Sequence, residues 1–125
     1  MKKILIVDDE LTILLSLSHI LGSEDTIVIT CSTIEEAEEA LLRYTFDLVI
    51  ADIRMSGIQG IEGLELLGYI KNLSPETAVI IMTAYGSDEI KKEAYGRGAF
   101  HYYEKPIDIT QLLSKVHNLG ISLPC

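Results

Sequence analysis

Apolar residues along this chain gather into short unbroken runs, separated by longer stretches in which they recur every three or four positions. Residues 3–7, Thr26–Cys31, 46–51, 78–82 and 99–103 read as five strands, the last the weakest. Between them, Leu11–Leu21, 34–44, 64–73 and 88–95 have the helical period, and a final helix runs from Asp108 to about Asn118. Local signals support these bounds. Gly22 stops the first helix, Thr33 with Glu36 forms a capping-box pattern, Gly96-Arg97-Gly98 breaks the fourth, and Asp108 with Gln111 caps the fifth.

The strand runs Ile4-Leu5-Ile6-Val7 and Leu48-Val49-Ile50 are apolar at every position, with no period-two alternation. That is the pattern of strands buried on both faces. Strands alternating with helices therefore predict an α/β fold, a doubly wound parallel sheet with five helices on its two faces. No repeat or low-complexity segment interrupts it, so residues 1–119 are expected to form one domain. Residues 120–125 read as a C-terminal tail or the start of a linker.

Composition narrows the function. The chain has 125 residues, 48% of them hydrophobic, which is too apolar for a disordered segment. Ten basic against nineteen acidic residues give a net charge of −9, the wrong sign for a nucleic-acid footprint. No apolar run approaches the roughly 20 residues that span a bilayer. The four apolar residues after Met1-Lys2-Lys3 are too few for a signal-peptide core. With two cysteines, Cys31 in an apolar stretch and Cys125 at the end, the expected compartment is the reducing cytoplasm, without membrane contact.

In an open α/β sheet, ligands bind beyond the carboxyl ends of the strands. Here the first strand ends in Asp8-Asp9-Glu10, the third in Asp52, the fourth in Thr83, and Lys105-Pro106 follows the fifth. Clustered carboxylates raise one another's pKa unless a cation joins them. Hard oxygen donors suit Mg²⁺, and no His/Cys pattern with zinc spacing competes. Each residue also has an ordinary reading: acids favouring a helix N-terminus at about 0.3–1 kcal/mol each, a turn aspartate, a capping threonine, a solvated lysine. Their coincidence at four strand ends favours a cradle for a phosphoryl group. Asp52, alone at the end of a central strand, is then the acceptor, and Asp8 with Asp9 the metal-holding pair.

The stretches Ile4-Leu5-Ile6-Val7-Asp8-Asp9-Glu10, Asp47-Leu48-Val49-Ile50-Ala51-Asp52-Ile53-Arg54-Met55, Ile81-Met82-Thr83-Ala84-Tyr85-Gly86 and Tyr103-Glu104-Lys105-Pro106 resemble the receiver domain of bacterial two-component response regulators. The resemblance covers residues 2 to about 119. It implies a flavodoxin-like sheet of order 2-1-3-4-5 and a phosphoacceptor at Asp52, supplied by the phosphohistidine of a histidine kinase or phosphotransfer protein. It further implies Mg²⁺ held by Asp9, Asp52 and the Arg54 backbone carbonyl, with Asp8 acting through water. Thr83 and Lys105 would bond phosphoryl oxygens, Ala84 would leave room, the Lys105-Pro106 bond would be cis, and Tyr102 would be the aromatic switch that turns inward with Thr83. The Asp88 helix, last strand and last helix would present the signal to an output domain or downstream protein, by which transcription is regulated in many such systems. Catalysis would be confined to the chain's own phosphoryl transfer and dephosphorylation, and a phosphorylation-dependent dimer is left open.

One stretch departs from that family. Ser56 replaces the usual proline, and Gly57-Ile58-Gln59-Gly60-Ile61-Glu62-Gly63 reads as a loop with a three-residue insertion, expected to be mobile. Arg54 and Tyr85 border the expected route of attacking water. His19, His101 and His117 read as packing or surface residues, and Met55 and Met82 as core filler. Three other functions compete. A haloacid-dehalogenase-type phosphohydrolase needs a second Asp two residues past the nucleophile, where this chain has Arg54. A flavodoxin-like cofactor binder needs a Ser/Thr/Gly-rich loop where this chain has three acids. A metal-free pseudo-receiver would lack part of the site set that is present here.

Overall fold

The computed structural model describes residues 1–52, 62–84 and 86–121. Five parallel strands, β1 (Lys2–Val7), β2 (Thr26–Cys31), β3 (Leu48–Asp52), β4 (Ala78–Thr83) and β5 (His101–Glu104), lie in the order β2-β1-β3-β4-β5. Alternating with them are α1 (Leu11–Leu21), α2 (Ile34–Arg43), α3 (Glu62–Leu73), α4 (Asp88–Gly96) and α5 (Ile109–Asn118). The expected architecture and strand order are both present.

Period two along each strand sorts the core into two layers. Leu5, Val7, Val49, Ala51, Val79, Ile81 and Tyr102 face α2, α3 and α4, meeting Ala37, Leu41, Leu67, Ile70 and Ala94. Ile4, Ile6, Leu48, Ile50, Ile80, Met82 and Tyr103 face α1 and α5, meeting Leu14, Leu17, Leu21, Leu112 and Val116. Both faces are covered, which is why the central strands carry no polar alternation.

The caps act through the expected residues, with one change. Thr33 Oγ1 accepts the Glu36 amide at 3.1 Å, but the Glu36 carboxylate reaches back to the amide and hydroxyl of Ser32 (2.9 and 3.0 Å), one residue before the cap. Asp108 accepts the Gln111 amide at 3.3 Å. Of the Gly96-Arg97-Gly98 breaker, Gly96 remains helical and Gly98 takes the left-handed turn at φ +102°.

Two strands are displaced from their expected positions. β3 begins at Leu48 because the buried Phe46 gives its carbonyl to the Thr77 hydroxyl at 2.7 Å, outside the ladder. β5 begins at His101, not Ala99, because the Ala99 amide closes the end of α4 on the Ala94 carbonyl at 3.0 Å. The remaining bounds agree to within two residues.

Candidate functional site

After β1 the chain goes to β2 on one side, then returns to β3 on the other, so the carboxyl ends of β1 and β3 adjoin at the point where the winding reverses. The register pairs Val7 with Ala51 and places Asp8 and Asp52 side by side. Asp52 closes β3 opposite Met82, so Thr83 follows one step along β4, paired with Glu104. The Lys105 amide donates to the Thr83 carbonyl at 2.8 Å, which fixes the lysine backbone against the end of β4. The Lys105-Pro106 peptide bond is cis.

These constraints bring the strand-end residues together. Carboxylate oxygens of Asp8, Asp9, Glu10 and Asp52 all lie within 4.8 Å of one another. Lys105 Nζ enters the group, at 3.0 Å from Asp8 Oδ2, 3.0 Å from Asp52 Oδ2 and 2.9 Å from Glu10 Oε1. An ammonium carries three hydrogens, and three carboxylates take them. Asp8, Asp52 and Thr83 are buried, while Asp9 and Glu10 face solvent. Ala84, beside them, is exposed.

Electrostatics follow from this mixture of burial and charge. Desolvation holds the Asp8 carboxyl above the usual aspartate range, although the Glu10 amide and Lys105 both pull it back. Burial also works against the Lys105 ammonium, but its hydrogen bonds to Glu10, Asp8 and Asp52 outweigh this and raise its pKa. Four carboxylates around one ammonium leave a formal charge of −3 when all are ionised, which one divalent cation would reduce to −1. Clustered oxygen donors, two of them open to water, fit Mg²⁺ and offer no sulfur or imidazole to a softer ion.

Glu10 has a role that its place in the sequence did not predict. It is the N-cap residue of α1, yet its side chain makes no cap hydrogen bond. Its amide bonds Asp8 Oδ1 at 2.8 Å, and this turn aims its carboxylate at the lysine. A third consecutive acid at the strand end was the available signal.

Beside Lys105 lies an apolar cavity of about 460 Å³, with Ile13, Leu17, Pro106 and Ile107 in its wall and Glu10 at its lining. Leu11 and Leu15, one turn apart on α1, are exposed nearby in sequence. Tyr102 is buried, with its hydroxyl among the described residues making no hydrogen bond. Burial raises its pKa, helped by Glu104 and Asp88, and the nearby Ser87 amide opposes. Cys31 is buried near Glu36 and Glu39; burial first and these acids second push its thiol up to about 11 and keep it protonated at neutral pH. The Arg54 carbonyl, Met55, Tyr85 and the expected insertion through residue 61 lie outside the described residues, whereas Glu62 and Gly63 belong to α3.

The fold and this site together define a class. Residues 4–117 match the response regulator receiver domain, and the chain belongs to that family. It is 40% identical over 114 residues to the DNA-binding transcriptional regulator NtrC of Escherichia coli, and 38% identical over 111 residues to the response regulator protein PilR of Pseudomonas aeruginosa. Each alignment takes in 89% of this chain but only 23% and 24% of those proteins, so the chain spans about a quarter of their length. Among solved structures, the beryllofluoride-activated NtrC4 receiver domain dimer superposes with a TM-score of 0.85 at 33% identity, covering 95% of this chain and 96% of that one. A CheY-like receiver domain protein from Methanospirillum hungatei gives 0.86 at 34% identity, over 96% and 94%. Receiver domains are signalling modules that bind Mg²⁺ at an acidic pocket, and this chain has an acidic cluster at Asp8, Asp9, Glu10 and Asp52.

Proposed function

We propose that this chain is the phosphorylation-controlled switch of a two-component response regulator, with Asp52 as the phosphoacceptor. The observation that carries the reading is the position of Lys105 Nζ, 3.0 Å from both Asp52 and Asp8 at the reversal point of the sheet. An Asp52 oxygen attacks the phosphorus of a phosphohistidine on a histidine kinase or phosphotransfer protein. The P–N bond breaks as the P–O bond forms, and the departing imidazole nitrogen keeps the electron pair and takes up a proton. Water later cleaves the acyl phosphate to inorganic phosphate and restores the carboxylate.

The chain's own residues position and neutralise the group. Asp9, Asp52 and, as the family resemblance implies, the Arg54 carbonyl would hold Mg²⁺, with Asp8 acting through a water, and the bound ion would supply neutralisation of charge on the phosphoryl oxygens. Lys105 trades a carboxylate for one phosphoryl oxygen and the Thr83 hydroxyl bonds another. The exposed Leu11 and Leu15, with the apolar cavity beside Lys105, give the donor protein a non-polar landing next to the site.

The phosphorylated aspartate carries more negative charge and more acceptor oxygens than the carboxylate it replaces. Thr83 and Lys105 bond that group, whereas with the bare acid the Lys105 ammonium is divided among Asp52, Asp8 and Glu10. This difference biases two arrangements of α4, β5 and α5, with Tyr102 moving alongside Thr83. Residues 1–119 form the receiver unit and 120–125 its tail or the start of a linker. An output domain or downstream protein reads the change, and transcription is the process regulated. The net charge of −9 assigns nucleic-acid contact to that other part. The site does not favour a haloacid-dehalogenase reading, because Arg54 stands where its second aspartate belongs.

Incubation with acetyl phosphate and Mg²⁺, with Asp52→Asn as control, tests this. Wild type should gain one hydroxylamine-labile phosphoryl group and the variant none. A wild type that takes up no phosphate, or a variant that takes up as much, refutes it.

A further inference from the structure

Tyr102 is held at both ends by the segment around α4. Its backbone amide donates to Tyr95 Oη of α4 at 3.2 Å, and its buried ring reaches the turn that leads into that helix. There the hydroxyl lies directly against Gly86. A β-carbon built on Gly86 would overlap Tyr102 Oη and would stand 3.0 Å from both Tyr102 Cζ and Thr83 Cγ2. Backbone conformation does not call for glycine at this position, since among the described residues only Gly98 and Gly120 have positive φ. Space does. Among the described residues the hydroxyl it receives makes no hydrogen bond, and a buried hydroxyl without one costs free energy that an outward rotamer would recover in water. The inward ring is therefore balanced, and a modest steric change can displace it.

We propose that Gly86 is the positioning residue for inward Tyr102: its bare α-carbon is the seat of the phenol oxygen, and any side chain at 86 drives the ring out between β5 and α4. This rests on the reading of Tyr102 as the element that couples the Asp52 site to the α4–β5–α5 face. It adds that the coupling is set by residue 86, which bonds neither metal nor phosphoryl group.

The test places 3-fluorotyrosine at position 102 of the full chain and reads the ¹⁹F shift difference between H₂O and D₂O, which reports ring exposure. In Gly86→Ala the inward fraction should fall at least tenfold, with Asp52 uptake from acetyl phosphate within about twofold of wild type. A buried signature retained in Gly86→Ala overturns the seat. Should the single variant fail to fold, Gly86→Ala in a Tyr102→Leu background should melt like Tyr102→Leu alone, because the overlapping oxygen is gone; a comparable loss there also overturns it. A chain that takes up no phosphate at all counts against Asp52 as acceptor, and the fluorine signal still decides the seat.

Discussion

Replacing Lys105 by alanine removes the cation that, among the described residues, Asp8, Asp52 and Glu10 share. Asp8 is fully buried and the Asp52 side chain is 6% exposed, so both lose their bond to the ammonium in a poorly solvated place, although Asp8 keeps the Glu10 amide. Glu10, 54% exposed, returns to water at little cost. Breaking a buried pair from one side typically costs about 3–5 kcal/mol. In a domain of this size each kcal/mol moves the melting midpoint by about 3–5 °C, so a fall of roughly 10–25 °C is expected without metal. The deficit should depend on pH. Lys105 lowers the Asp8 pKa, so its removal raises that value further above the ordinary 3.8. A carboxyl with a raised folded-state pKa contributes stability that is present below 3.8 and lost as pH rises through the folded value. The gap between variant and wild type should therefore widen from pH 4 to pH 7. Mg²⁺ should close it in part, because a ligand at a hundred times its Kd returns about 2.7 kcal/mol, and in the variant no ammonium competes for the oxygens. The assay is thermal unfolding by circular dichroism with and without Mg²⁺. A variant that melts within 2 °C of wild type without metal, or that gains less from Mg²⁺ than wild type does, refutes the shared-cation account.

Lys105 must release a carboxylate before it can bond a phosphoryl oxygen, and the exposed Glu10 is the least costly to leave; at about 0.2–1 kcal/mol for an exposed pair, Glu10→Gln should lower the beryllofluoride concentration for half-saturation, at saturating Mg²⁺, by up to about fivefold, and an unchanged or higher value would exclude competition by Glu10. The His101 ring packs tilted by 55° against Tyr103 with centroids 4.4 Å apart, and burial first, then Lys115 and Lys91, lower its pKa from the ordinary 6.5. The stability it contributes is present above 6.5 and lost as pH falls toward the depressed value, so between pH 7.5 and 5.5 the melting midpoint of His101→Phe should drop less than that of wild type; parallel curves would dismiss the histidine.

What could be read from sequence was whatever a single local pattern encodes. Continuous apolar runs marked the central strands, and strand ends marked Asp8, Asp52 and Thr83. Lys105 was legible because it directly follows a strand. The starts of β3 and β5 were not, because they depend on distant claims on one backbone group: the Thr77 hydroxyl on the Phe46 carbonyl, and the Ala94 carbonyl on the Ala99 amide. Glu10 was visible as an acid but not as a lysine partner, since its aim depends on the turn closed by Asp8. The contact of Gly86 with Tyr102 joins residues on two elements through a rotamer, which no spacing rule records.

The hydrogen bond from the Tyr102 amide to the Tyr95 phenol has a second consequence. Among the described residues β5 is the last strand of the sheet and has no neighbour on its outer side, which is where a foreign strand would pair and start an aggregate. In a strand of only four residues, an amide already occupied by a tyrosine from the adjoining helix leaves such an intruder little to grip. The phenol thus protects the rim of the sheet, and Tyr95→Phe would expose it to self-association.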